Sequence, residues 1–279
     1  MFKITEKNGG IELCGLDRFS INKIFDCGQC FRFDPKDGGI EGIAMGKVLR
    51  FEQPADGTVI ISGIMKKEFD ETFCRYLALD EDYAMVDGDI LTRLKGDATI
   101  KKAIEYGSGI RILRQDGWEA LCSFIVSQNN NIPRIKKIIE AMSREFGEKI
   151  DDEHYAFPTA EALCEAGVDK IFELKTGFRA KYIYDAAEKV ARGKIDLSLV
   201  DKMTTDEALE YLMQIKGVGL KVASCALLFG FNKTDAFPVD VWVKRVLEKY
   251  YPDGLDLSDL GAYAGMIQQY LFYYERYNK

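Results

Sequence analysis

Residues Leu212–Glu248 read LMQIKGVGLKVASCALLFGFNKTDAFPVDVWVKRVLE. Two helical patterns flank a Gly217-Val218-Gly219 turn, and a Pro238-Val239-Asp240 loop leads into a third. Leu212, Ile215, Val218, Val222, Leu227 and Leu228 recur at helical spacing, so they supply the apolar face of a compact hairpin over residues 212–231. Gly217 and Gly219 allow a tight turn and close approach of a partner. The amides opening the second helix then point outward, where they suit an anion such as phosphate. The turn is a candidate grip on a nucleic-acid backbone, independent of base sequence.

Lys221 and Asp240 stand at the starts of the two helices that follow the turn and the 232–240 loop. Positive charge is disfavoured at a helix N-terminus, which makes a lysine there unusual. A neutral lysine amine attacks aldehyde-like carbon and forms a Schiff base; equally, a lysine beside such a turn can simply bind phosphate. Asp240 has a capping reading as the N-cap of the helix beginning at Val241, though its pairing with Lys221 after the same hairpin weakens capping as its sole role. The residues alone leave both choices open.

The chain has 279 residues, enough for a substantial core divided between subdomains. Its net charge of −7 argues against indiscriminate nucleic-acid binding. A local basic face remains available from Arg111, Arg114, Arg134, Lys136, Lys137, Arg179, Lys181, Lys221, Lys244 and Arg245. The seven cysteines are an odd, scattered set with no signal peptide before them, which implies free thiols and a cytoplasmic, nucleoid-associated location. Cys27 and Cys30 have metal-like spacing, but no second pair lies near and His154 is the only histidine, so no side-chain metal site is expected. No apolar run reaches membrane-spanning length.

The expected fold class is α+β. Residues 1–85 read as an antiparallel sheet domain, with short runs at Gln29–Asp34, Ile40–Gln53 and Thr58–Met65 separated by turn residues and closed by a helix over Glu68–Leu79. Residues 86–279 read as an all-helical body. Asp116-Gly-Trp-Glu119 and Thr204-Thr-Asp-Glu207 are capping boxes. Ala120–Val126 is apolar on nearly every side, as a central buried helix should be. A last helix is expected from near Leu260 to about Tyr274.

The hairpin, Lys221 and Pro238-Val239-Asp240 resemble the helix-hairpin-helix DNA glycosylases, and within them the 8-oxoguanine DNA glycosylases. Three more stretches carry the closer resemblance: Gly28-Gln29-Cys30-Phe31-Arg32, LRQDGWEALCSFIVSQNNNIPRI over Leu113–Ile135, and TGFRAKY over Thr176–Tyr182. It spans nearly the whole chain in the same order. It implies an enzyme that flips 8-oxoguanine out of duplex DNA, opposite cytosine, and cleaves it by Schiff-base chemistry with β-elimination. Lys221 would be the nucleophile and Asp240 would stabilise the cationic sugar. Gly28 would accept a hydrogen bond from N7–H of the lesion, a proton that guanine lacks. Gln268 would read the Watson–Crick edge, with Phe272 and Cys225 stacking on the two faces; a Cys225 thiolate paired with the Lys221 ammonium would polarise the base. Asn129 and Asn130 would enter the duplex, Phe178 would be the wedge, and Arg134 and Arg179 would read the orphaned cytosine. Gly217 and Gly219 would meet the DNA backbone. Trp242 stands where vertebrate-like members place a phosphate-binding histidine, which puts that contact in doubt.

The resemblance also implies a monomer that needs no cofactor. The iron–sulfur cysteine cluster of endonuclease III-like relatives is absent, although a cation on the hairpin carbonyls is compatible with the pattern. Two alternatives stay open. One is a glycosylase for other damaged bases, although alkylation-type members lack the lysine and pyrimidine-type members usually carry the cluster. The other is a non-catalytic DNA-binding module.

Overall fold

The computed structural model describes residues 2–278, the Ser258 side chain excepted. The chain opens with a six-stranded antiparallel sheet of order β1-β2-β6-β5-β4-β3. The strands are β1 (Lys3–Lys7), β2 (Gly10–Cys14), β3 (Phe33–Lys36), β4 (Gly39–Ala44), β5 (Lys47–Ala55) and β6 (Thr58–Ser62). Register places Ile11 opposite Ile61, Ile61 opposite Phe51 and Phe51 opposite Ile40, so one apolar row crosses four strands. That row is buried together with Phe25 of helix α1 (Ile21–Asp26) and with Phe69 and Phe73 of a helical stretch over residues 66–76. Alternation along each strand thus becomes one packed face.

Two strand expectations change. Gln29–Arg32 lies in a loop, and the strand begins only at Phe33. The run Ile40–Gln53 splits into β4 and β5 at Met45 and Gly46, which take φ of 50° and 72° as a tight two-residue hairpin requires. Helix α1 and the β1–β2 hairpin had no counterpart in the sequence reading.

A mostly helical body follows. Its helices are α2 (Tyr83–Arg93), α3 (Ala98–Gly107), α4 (Gly117–Ser127), α5 (Ile132–Phe146), α6 (Ala160–Ile171), α7 (Ala180–Ala191), α8 (Thr205–Leu212), α9 (Leu220–Gly230), α10 (Val241–Tyr250) and α11 (Ala264–Tyr277). A lone antiparallel bridge between Lys149 and Tyr155 makes the body less than wholly helical. The Thr204 capping box forms as expected. At Asp116 only half of the box forms. Asp116 accepts from the Glu119 amide, but the Glu119 carboxylate turns instead toward Arg32, 3.6 Å away. A nearby guanidinium competes better for that carboxylate than a backbone amide.

Helix α4 is the central element, with Ala120–Val126 all buried. It lies antiparallel against α9. At one end a Cβ on Gly230 would fall 2.7 Å from the Ala120 Cβ, so the backbones meet where neither helix carries bulk. Further along, Phe124 and Phe229 stack with centroids 5.3 Å apart. The other end of the pair brings Ser127 to Lys221. The loop after α1 belongs to both cores, since Cys27 and Phe31 pack with the helical body while Cys30 packs with the sheet. No helix among the described residues is long and apolar enough to cross a membrane.

Candidate active site

A cavity of about 330 Å³ opens where α4, α9, α10, α11 and the loop after α1 converge. Gly28, Asn130, Lys221, Cys225, Asp240, Trp242, Gln268 and Phe272 all line it. These positions come from five separate parts of the chain, so the fold gathers most of the residues singled out in the sequence. The volume falls at the lower end of what small-molecule sites use.

Lys221 occupies the first turn of α9, whose N-cap is Gly219. Its ammonium donates to Ser127 Oγ at 3.3 Å and lies 5.4 Å from the Phe124 ring centroid. Lys221 is not among the ion-paired lysines of the described residues. Its amine is therefore held by a neutral hydroxyl, an aromatic face and the neighbouring Cys225 side chain.

Asp240 caps α10. One carboxylate oxygen, Oδ1, accepts from the Trp242 amide at 3.0 Å and the Val243 amide at 2.8 Å. The other, Oδ2, takes no hydrogen bond among the described residues, and Asp240 lines the cavity. Capping by Asp240 therefore occupies one carboxylate oxygen and does not exclude a chemical role for the other.

Cys225 departs from expectation. Burial pushes its thiol up to about 11, opposed by the nearby Lys221 charge and reinforced by Asp240. At neutral pH it carries its proton, so the free protein holds a neutral thiol beside Lys221 rather than a thiolate–ammonium pair.

Two glutamines, Gln268 and Gln269, line the cavity. The Gln268 carboxamide oxygen is buried without a hydrogen-bond partner among the described residues. An orphaned buried acceptor costs roughly 1–3 kcal/mol, so it marks a group awaiting a donor. Gln269, not singled out in the sequence, donates to the Cys27 carbonyl at 2.7 Å. Gln29 is buried too; its amide donates to the Arg111 carbonyl at 2.8 Å and its oxygen accepts from the Leu113 amide at 2.8 Å. Together they pin the Cys27–Gln29 loop between α11 and the 111–113 segment. The signal was present, since polar amides inside apolar runs need partners. Gly28 has φ +77°, and a Cβ there would come within 3.4 Å of the Phe272 ring. Only glycine fits both constraints comfortably.

The three asparagines have divided roles. Asn129 is exposed with φ 47°, Asn130 Nδ2 donates to the Val126 carbonyl at 3.0 Å, and Asn131 caps α5. Arg179 is 2% exposed, and its guanidinium donates to the Gln128, Asn129 and Thr176 carbonyls. Burial, and then the neighbouring Arg134 charge, lower its pKa. Arg179 thus shapes the asparagine turn from behind, whereas Arg134 is exposed and its guanidinium donates to the Lys175 carbonyl at 3.1 Å. Phe178 is 51% exposed and leans edge-on against Tyr182. Asn130 and Asn131 line the cavity, whereas Asn129, Arg134 and Phe178 are exposed outside it.

Gly217 takes φ +79° and a Cβ there would strike the Tyr182 ring at 2.3 Å, while Gly219 faces open space. Gly217 is therefore a packing requirement, and Gly219 leaves room for an approaching backbone. Trp242 lines the cavity with Arg245 stacked 4.7 Å from its ring centroid. Of the hairpin carbonyls, Gln214 accepts from Lys189 at 2.6 Å and Ile215 from the Val218 amide at 3.0 Å, so a cation there would compete with protein donors.

Residues 13–121 match the 8-oxoguanine DNA glycosylase N-terminal domain, and residues 122–254 match the HhH-GPD superfamily of base excision DNA repair proteins. The chain belongs to the 8-oxoguanine DNA glycosylase family. The two family matches meet inside α4, the helix that touches both halves of the site. Among solved structures of this family, the chain is similar to the Clostridium acetobutylicum 8-oxoguanine glycosylase/lyase in complex with duplex DNA containing cytosine opposite 8-oxoguanine. The TM-score is 0.92 and the identity 39%, over 99% of this chain and 98% of that one. The Saccharomyces cerevisiae N-glycosylase/DNA lyase is 37% identical over 51% of this chain, a match spanning 42% of the yeast protein. A probable N-glycosylase/DNA lyase of Methanothermobacter thermautotrophicus is 30% identical over 64% of this chain and 68% of its own length.

Proposed function

We propose that this protein is a bifunctional DNA glycosylase that excises 8-oxoguanine opposite cytosine in duplex DNA and then cleaves the strand by β-elimination. The observation that carries the reading is the shared cavity of the Lys221 amine, the Asp240 carboxylate and the orphaned Gln268 amide. A base inside a duplex is out of reach, so the lesion must be flipped into such a cavity.

As the C1′–N9 bond breaks, its electron pair leaves with the base, and the free Asp240 oxygen offsets the positive charge growing on the sugar. Lys221 gives up one proton to solvent, its amine forms a bond to C1′, and a second proton passes to solvent or the departing base. The sugar ring opens to a Schiff base. Loss of a C2′ proton then expels the 3′ phosphate. Lysine and aspartate suffice, and no cofactor enters. The whole constellation from Gly28 to Phe272 comes from one chain, which supports a monomer as the working unit. Free cysteines favour a reducing, cytoplasmic setting close to the nucleoid.

Borohydride trapping on duplexes carrying 8-oxoguanine, an alkylated purine or thymine glycol tests this. The covalent adduct should form fastest with 8-oxoguanine opposite cytosine. Faster trapping on either other lesion would reassign the substrate, and trapping on none would leave only a DNA-binding role.

A further inference from the structure

Arg276 also lines the cavity, about two helical turns beyond Gln268 on α11. Gln268, Phe272 and Arg276 are spaced four residues apart on α11, so they form one stripe about 12 Å long along the helix axis. The Arg276 guanidinium lies 5.6 Å from the Phe272 ring centroid. One of its terminal nitrogens is 3.7 Å from where a Gly28 Cβ would stand. It makes no hydrogen bond or ion pair among the described residues, whereas the neighbouring Glu275 is taken by Lys249. A half-buried guanidinium without an acidic partner, set in a cavity wall, has donors free for a ligand.

We propose that Arg276 is a further specificity-determining residue, donating to the C8 oxygen of the flipped base. This rests on the 8-oxoguanine reading above. A purine seated on Phe272 with its Watson–Crick edge at Gln268 turns its five-membered ring toward Gly28 and Arg276. The lesion presents there a donor, N7–H, beside an acceptor, the C8 oxygen. A backbone carbonyl at Gly28 and a guanidinium at Arg276 are the complementary acceptor and donor. Guanine has neither feature, since its C8 bears hydrogen. The contact also helps the reaction. The electron pair released from the C1′–N9 bond spreads from N9 through C8 onto that oxygen, and a cation there stabilises the leaving base.

The test uses affinities measured in a Lys221→Gln background, for duplexes holding 8-oxoguanine or a tetrahydrofuran abasic analogue opposite cytosine. Arg276→Met keeps an aliphatic cover over Phe272 but removes the donors. It should weaken 8-oxoguanine binding about tenfold, the scale of a charge-assisted hydrogen bond, and leave the abasic duplex unchanged. Arg276→Lys should recover part of the loss. Equal weakening on both duplexes would make Arg276 a phosphate contact, and no weakening on either would remove it from recognition; both overturn the proposal. Failure of the underlying reading looks different, because wild-type enzyme would then show no excision of 8-oxoguanine at all.

Discussion

Arg179 holds the carbonyl of Asn129 at 2.8 Å from beneath, and the same guanidinium holds the carbonyl of Gln128. The exposed, left-handed Asn129 is thus presented on a turn that a buried cation keeps in shape. Arg179→Ala should leave these carbonyls unpaired and lower stability by roughly 2 kcal/mol or more. Chemical denaturation of the variant checks this, and an unchanged midpoint would show that the turn holds itself.

Arg134 offers the contrast. It is exposed and lightly tethered, so Arg134→Ala should barely move the denaturation midpoint. What it should change is the choice of opposite base. Cytosine presents two adjacent acceptors to an arginine fork, and losing that match should cut the preference for cytosine over adenine by about 1–3 kcal/mol. Single-turnover rates on matched duplexes decide, and an unaltered ratio would confine Arg134 to phosphate.

Lys221→Gln should abolish borohydride trapping and strand cleavage while lesion binding survives. Glutamine keeps a donor for Ser127 but cannot form a Schiff base. A covalent adduct that persists in this variant would move the nucleophile elsewhere.

Asp240→Asn separates the two oxygens of one carboxylate. Asparagine caps helices about as well as aspartate, so the bonds to Trp242 and Val243 should persist with little loss of stability. Excision should slow by about a hundredfold or more, because the formal charge facing the sugar is gone. Parallel loss of folding and activity would instead assign Asp240 to capping alone.

Glu119 gives a pH dependence. Burial raises its carboxyl from an ordinary 4.5 to about 7, although Arg32 opposes the shift. Between those values the folded chain keeps a proton that the unfolded chain has released. Its contribution is therefore fully present below about 4.5 and is lost as pH rises toward about 7. Glu119→Gln stays neutral throughout, so wild type minus variant stability should fall across that window. Urea titrations at several pH values would reveal it; a flat difference would mean that Arg32 keeps Glu119 ionised.

The turn and cap positions of the hairpin region were legible in the chain because they are local. Gly217, Lys221 and Asp240 sit at turn and cap positions that short-range geometry dictates, and the apolar run of α4 announces its burial by composition alone. Boundaries such as the start of β3 were not legible. Gln29–Arg32 has strand-like residues, yet the Gln29 amide is consumed by backbone groups of the distant 111–113 segment, and that holds the loop out of the sheet. The state of Cys225 was hidden for a related reason, since the desolvation that keeps its proton comes from neighbours on other helices. So was the division between Arg134 and Arg179, two residues of the same type. Exposure separates them, and exposure is set by how α4, α5 and α7 pack. Local hydrogen-bonding and helical periodicity are written into short stretches of residues, whereas burial, which decides charge and partner, is a property of surfaces that meet only when the whole chain has folded.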